Sequence, residues 1–147
     1  MNLLKSNSNN YYYSEGSGQP MVLLHGFPDC AQNYENQINY FSELGYEVFC
    51  PFMPGYHPDD KKLPSYDPTT ISLEIINFIQ SLNVSPVTLI GHDWGASTAY
   101  GVASMEPSIV NRLITLSVPH GSKLVEAILT DGDQQRRSWY MFYFQLE

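Results

Sequence analysis

Val87-Thr88-Leu89-Ile90-Gly91-His92-Asp93-Trp94-Gly95-Ala96 is the most informative stretch of the chain. Val87 to Ile90 is a short apolar run rich in branched side chains, the pattern of a strand buried on both faces. Downstream, Ala96, Ala99, Tyr100 and Ala103 recur at i, i+3, i+4 and i+7, which marks one face of a helix. Between the two, Gly91-His92-Asp93-Trp94-Gly95 has the glycine-x-nucleophile-x-glycine spacing of a nucleophile elbow, with aspartate in the nucleophile's place. The prediction is a strand that runs into a helix through a tight turn with Asp93 at its apex. The glycines fit a chain that passes so close to its neighbours that a Cβ would clash. An aspartate there needs no activating base: its carboxyl ordinarily titrates near about 3.9, and a helix N-terminus favours its charge by roughly 0.3–1 kcal/mol. It is a carboxylate of the kind that forms covalent ester intermediates. Aspartate is also a common helix N-cap, and Gly-x-Asp-x-Gly occurs in ordinary turns, so these five residues alone leave both readings open.

Composition narrows the classes. The 147 residues are 43% hydrophobic and 15% charged, which suits one modest globular domain and not a disordered chain. A formal net charge of -8 argues against nucleic acid and anionic membranes as partners. Cys30 and Cys50 show no metal-ligand or redox spacing and read as reduced core thiols. No cofactor or metal is expected. Met1 to Asn10 lacks the apolar run of a signal peptide and no stretch is long enough for a membrane span, so a cytoplasmic protein is the expectation. Ser6 to Tyr13 is the one low-complexity patch.

In chain order, Tyr11-Tyr12-Tyr13 reads as an edge strand, Glu15-Gly16-Ser17-Gly18 as a turn and Met21 to Leu24 as a second buried strand. His25-Gly26-Phe27-Pro28 follows directly. Tyr34, Ile38 and Phe41 mark an amphipathic helix ended by Gly45, and Tyr46 to Cys50 the next strand. Pro51 to Pro68 is a long loop. Ile71, Ile75, Phe78, Ile79 and Leu82 mark another helix, and Leu113 to Val118 one more strand. Strands alternating with helices imply βαβ units and a parallel sheet, whose ligands bind at the carboxyl ends of the strands. Gly26 and Asp93 both lie just past such ends. From Gln134 to Glu147, Trp139, Phe142, Tyr143 and Leu146 share one helical face; a segment this aromatic is expected to face a core, a pocket or a partner.

His25-Gly26-Phe27-Pro28 followed by Gly91-His92-Asp93-Trp94-Gly95 resembles the soluble epoxide hydrolase branch of the α/β-hydrolase fold. Ser138-Trp139-Tyr140-Met141-Phe142-Tyr143-Phe144-Gln145 is similar to the first cap helix of the same enzymes. The resemblance runs from about Gly16 to Glu147. It implies an α/β fold with a mostly parallel sheet and flanking helices, residues 1–120 being the N-terminal part of the core and 121–147 the start of a helical cap. It implies that Asp93 attacks a small apolar epoxide and forms an alkyl ester. The N–H groups of Phe27 and Trp94 would form the oxyanion hole, and Tyr140 would donate a hydrogen bond to the epoxide oxygen. Trp94, Trp139 and Phe144 would line the substrate site.

Two departures stand out. Many relatives carry Pro-Asp-x-x-Gly-Tyr after the fourth strand, where this chain reads Pro51-Phe52-Met53-Pro54-Gly55-Tyr56. In the family the rest of the cap, the relay acid, the histidine base and the last strands follow beyond a point equivalent to Glu147. The expectation is the N-terminal part of a longer enzyme, or a truncated gene product with little turnover of its own, with an exposed apolar strand at 113–118. His25 and His92 read as structural positions within their motifs, His57 as part of a solvated loop, and His120 comes too early in chain order for the base.

Two other readings stay open. A haloalkane dehalogenase uses the same aspartate chemistry, but usually has asparagine where Phe27 stands; Trp94 fits both. The fold also serves as a non-catalytic ligand-binding module.

Overall fold

A computed structural model describes residues 1–144 and residue 146 of the chain. Gln145 and Glu147, the tail of the predicted cap segment, lie outside the described residues. Met21, Val22, Leu23 and Leu24 are all buried on one strand, β3 (Gln19–Leu24). Neighbouring side chains on a strand point to opposite faces, so the sheet holding β3 must be covered on both. On one face Val22, Leu24, Phe49 and Leu89 pack with Ile75, Phe78 and Ile79 of α2 (Pro68–Leu82) and with Ala99 and Val102 of α3 (Trp94–Met105). On the other, Met21, Leu23, Val48 and Cys50 pack with Ile38 of α1 (Glu35–Glu43).

Among the described residues the sheet has six strands, in the order β1 (Asn2–Lys5), β2 (Tyr11–Gly16), β4 (Tyr46–Pro51), β3, β5 (Val87–His92) and β6 (Val110–Leu116). β1 pairs antiparallel with β2, and β2 with β4, while β4, β3, β5 and β6 run parallel. This is the expected α/β-hydrolase architecture, a mostly parallel sheet with flanking helices.

The structure differs from the sequence reading in four places. Tyr11–Tyr13 is not an edge: β2 lies between β1 and β4, and the outermost strand is Asn2–Lys5, four exposed residues too short to show a period. The Ser/Asn patch between β1 and β2 is the hairpin turn, closed by Ser6 and Asn10 with Asn9 at φ 69°. The last strand ends at Leu116 instead of Val118, because Ser117 turns the chain at φ 71°. A helix α4 (Gly121–Thr130) precedes the aromatic one, with Leu124, Ala127 and Ile128 half-buried. The aromatic helix α5 (Gly132–Tyr143) begins earlier than Gln134, since the Asp131 carboxylate accepts the N–H groups of Asp133 and Gln134 at its start.

Candidate active site

β3 and β5 are parallel neighbours with Leu24 opposite Gly91. The loops that leave their carboxyl ends therefore start side by side, which brings Gly26 and Phe27 against Asp93. Asp93 sits at φ 55°, ψ -119°, a backbone conformation that costs a non-glycine residue roughly 1–3 kcal/mol and survives only when its surroundings impose it. Here its N–H donates to the Leu116 carbonyl at 3.2 Å, and its own carbonyl accepts the N–H groups of Ala96 at 2.9 Å and Ser97 at 3.2 Å. Gly95 is needed because a Cβ there would strike the Leu24 carbonyl oxygen, and a Cβ on Gly26 would strike the Asp93 side chain.

The N–H of Phe27 donates to Asp93 Oδ1 at 2.8 Å. Trp94 is the first residue of α3, so its N–H belongs to the group at a helix start that has no partner four residues back. His25 is fully buried behind this loop. Its Nε2 accepts the Met53 N–H at 2.9 Å, which leaves the proton on Nδ1, 3.1 Å from the Gly26 carbonyl oxygen. The ring thereby ties the loop after β3 to the loop after β4. Burial holds its pKa below the ordinary value, against the Gly26 hydrogen bond and the Asp29 charge, which raise it. His25 is thus a neutral structural histidine, as its place in the motif suggested.

Two tyrosines absent from the sequence reading of the site feel the Asp93 charge. Burial, with Asp29, Cys50 and Asp93 as smaller causes, pushes Tyr34 up to about 12. Burial first and Asp93 second raise Tyr56, whose ring meets His25 edge-on at 4.8 Å. Tyr56 also lines a cleft of about 200 Å³ beside Trp94, together with Met53, Tyr66, Ile71 and Thr98. The Gly-Tyr pair after β4 was the available signal for this wall, but nothing local in the sequence gives the path of the loop.

Of the other predicted residues, Phe144 packs edge-on against Phe27 at 5.6 Å and Tyr140 against Phe144 at 6.0 Å. A row of rings therefore runs from α5 to Phe27, whose N–H holds Asp93. Trp139 instead packs on Tyr143 at 5.8 Å. Of the three settings expected for these aromatics, a core is the one they do not occupy, since Trp139, Tyr140, Phe142, Tyr143 and Phe144 are all exposed. Among the described residues no group of three His, Cys, Asp or Glu side chains is arranged to hold a metal ion, and no helix is long and apolar enough to cross a membrane.

The family model for the alpha/beta hydrolase fold matches residues 19–144. An AB hydrolase superfamily protein of Bacillus subtilis is 35% identical over 131 residues, 88% of this chain and 46% of that protein. Epoxide hydrolase 4 of Mus musculus is 34% identical, over 92% of this chain and 39% of its own length. The solved structure of an epoxide hydrolase from Bacillus megaterium, in complex with an inhibitor, superposes with a TM-score of 0.88 at 31% identity and covers 99% of this chain and 52% of that one. The chain spans less than half the length of these two curated relatives. With this topology, this elbow and the match over residues 19–144, the chain belongs to the alpha/beta hydrolase fold family, and epoxide hydrolases are among its relatives.

Proposed function

We propose that the protein opens epoxides through a covalent ester on Asp93, and that this chain supplies the nucleophile, the oxyanion hole and one ring-opening acid. The observation that carries the reading is the 2.8 Å hydrogen bond from the Phe27 N–H to Asp93 Oδ1. A carboxylate at the apex of the elbow with one oxygen already in a donor site has the other oxygen left for attack. Oδ2 forms a bond to an epoxide carbon, the ring C–O bond breaks, and the freed oxygen takes a proton. Tyr140 is assigned as the donor of that proton, a general acid on the cap side. Oδ1 is then the carbonyl oxygen of the ester. When water adds to the ester this oxygen becomes negative, and the N–H groups of Phe27 and Trp94 stabilise it. One such donor contributes about 2.7–4 kcal/mol.

The water step needs a base. His25 is engaged with Met53, and His120 pairs with Ser122 at 2.9 Å, so neither is assigned that role; in the chain order of this fold the histidine comes after the acid that follows the nucleophile. Residues 1–120 as core and 121–147 as the start of a cap belong to the same reading, supported by the packing of Phe144 over Phe27. Phe27, Trp94, Trp139 and Phe144 suit a small apolar epoxide. Peptide mapping after exposure to an epoxide tests the reading: the added mass is expected on the peptide that holds Asp93 and is absent in Asp93→Asn. An adduct elsewhere, or one that survives the substitution, overturns it.

A further inference from the structure

We infer that His57 is a positioning residue for the candidate active site: stacked on Tyr11, it pins the loop after β4 in the place from which Met53 and Tyr56 hold His25. The contacts that carry this lie outside the Asp93 carboxylate, and only its effect on ester formation rests on the reading of Asp93 as nucleophile.

Around His57 the loop is solvated, as expected: Gly55, Tyr56, Pro58 and Asp59 are exposed, yet His57 itself is half-buried. Its imidazole lies 3.8 Å from the Tyr11 ring, at 14° to it, and meets Phe52 edge-on at 4.9 Å. Such a stack holds a loop only if the ring beneath it is fixed. Tyr11 is fixed: it sits on β2 between β1 and β4, and its carbonyl accepts the Phe52 N–H at 2.9 Å. The Lys5 ammonium of β1 also stands 4.8 Å from the centre of its ring, within cation–π range. On the loop side, the Asp60 carboxylate accepts the N–H groups of Gly55 at 3.0 Å and His57 at 3.4 Å, and His57 Nδ1 accepts the Asp59 N–H at 3.2 Å. These bonds close the loop on itself, and the stack fastens it to the sheet.

The same loop reaches the site through the residues just before His57. Tyr56 donates its N–H to the Met53 carbonyl at 3.0 Å, and its ring meets His25 edge-on at 4.8 Å. Met53 donates its N–H to His25 Nε2 at 2.9 Å, and His25 Nδ1 lies 3.1 Å from the Gly26 carbonyl oxygen. That carbonyl and the Phe27 N–H belong to one planar peptide unit. The bond that fixes the first therefore aims the second, which holds Asp93. A loop that slips releases His25 first and misaligns the Phe27 donor next.

The test breaks the stack from either side, with His57→Ala or Tyr11→Leu, and restores a flat ring with His57→Phe. The first readout is the titration of His25, followed by NMR of the imidazole signals of the 147-residue chain, with His25→Ala identifying its signal among the four histidines. Burial holds its pKa below 6.5. In His57→Ala and in Tyr11→Leu it is expected to rise towards 6.5 as the ring opens to water, and in His57→Phe to stay low. The double variant is expected to show no larger rise than either single one, since both remove the same contact. A merely structural role would lower the melting temperature and leave the folded titration where it is. The second readout is the rate at which phenyloxirane adds its mass to Asp93. It is expected to fall about tenfold in His57→Ala, within the roughly hundredfold that an ångström of misplacement costs, and to recover in His57→Phe. An unchanged His25 titration in a folded stack-breaking variant, a His57→Phe that behaves like His57→Ala, or rises that add in the double variant overturn the inference. So does an unchanged ester rate in His57→Ala where the wild type forms the ester. A wild type that forms no ester rejects the reading of Asp93 alone, and the His25 titration then decides for His57.

Discussion

Phe27 and Asp93 lie 66 residues apart in sequence and are joined by a 2.8 Å hydrogen bond from the backbone of one to the carboxylate of the other. The bond exists because β3 and β5 are adjacent and parallel, so that the loops after them emerge at the same end of the sheet. Gly26 makes the approach possible. Adding a Cβ at Gly26 drives the Asp93 side chain away from the Phe27 N–H. Gly26→Ala is expected to slow ester formation about a hundredfold, the usual consequence of displacing a reacting group by an ångström. Stopped mass spectrometry of the adduct measures it, and an unchanged rate would show that the carboxylate works from another position.

His25 makes stability depend on pH. Its folded pKa lies below the ordinary 6.5, so between those two values the unfolded chain binds more protons than the folded one. Stability is then fully present above about pH 6.5 and declines as pH falls below it towards the folded value. Protonation at Nε2 would also set one N–H against another, at Met53. Chemical denaturation at a series of pH values should show wild type losing this increment and His25→Ala lacking it. The same variant leaves the buried Met53 N–H without an acceptor, at a cost of about 1–3 kcal/mol on top of the lost packing. Parallel pH profiles for the two proteins would refute the assignment.

Helix α2 depends on one carboxylate. Asp67 accepts the N–H groups of Thr69 at 2.9 Å and Thr70 at 3.0 Å and the Thr70 hydroxyl at 2.7 Å. Hydrogen bonds from Ser65 and Thr70 hold its carboxyl well below the usual carboxylate range. Its contribution is present above the ordinary carboxylate pKa and is lost as pH falls through the lower folded value. Asp67→Ala is expected to lower the melting temperature at neutral pH, and Asp67→Asn, a comparable cap, to lower it less.

The legible parts of the fold were those whose burial is continuous. β3 is buried on both faces and β5 is buried on one and half-buried on the other, both appear in the sequence as short apolar runs, and the elbow between β5 and α3 carries its own glycine signature. β1 escaped because four exposed residues carry no period. α4 was missed although Leu124, Ala127 and Ile128 have helical spacing, since none of the three is fully buried. The site divides in the same way. Asp93 was legible from its turn, while its pairing with Phe27 came from a resemblance, as spacing alone cannot say which strands are neighbours. The Tyr56 wall was out of reach because distant groups set that loop's path: His25 takes the Met53 N–H, and the Asp60 carboxylate takes the Gly55 N–H at 3.0 Å.

The sheet face that carries α1 is only partly covered. Ile38 of α1 and its neighbours pack over β3 and β4, where Leu23 and Val48 are buried. Further along the same face burial falls away, from half-buried Ile90 on β5 to Ile114 at 37% exposure on β6. β6 also stands at one end of the sheet order. In the 147-residue chain its outer side thus combines backbone groups open to pairing with an apolar face, the combination that makes edge strands associate. The 16.7 kDa chain is expected to self-associate as its concentration rises, and Ile114→Lys to suppress this, because a charge on an edge strand opposes pairing without touching the buried face on which Leu113 packs. Sedimentation velocity over a concentration series checks both. A monomer at every concentration, or association that Ile114→Lys leaves intact, would place the sticky surface elsewhere, with the exposed rings of α5 the next segment to alter.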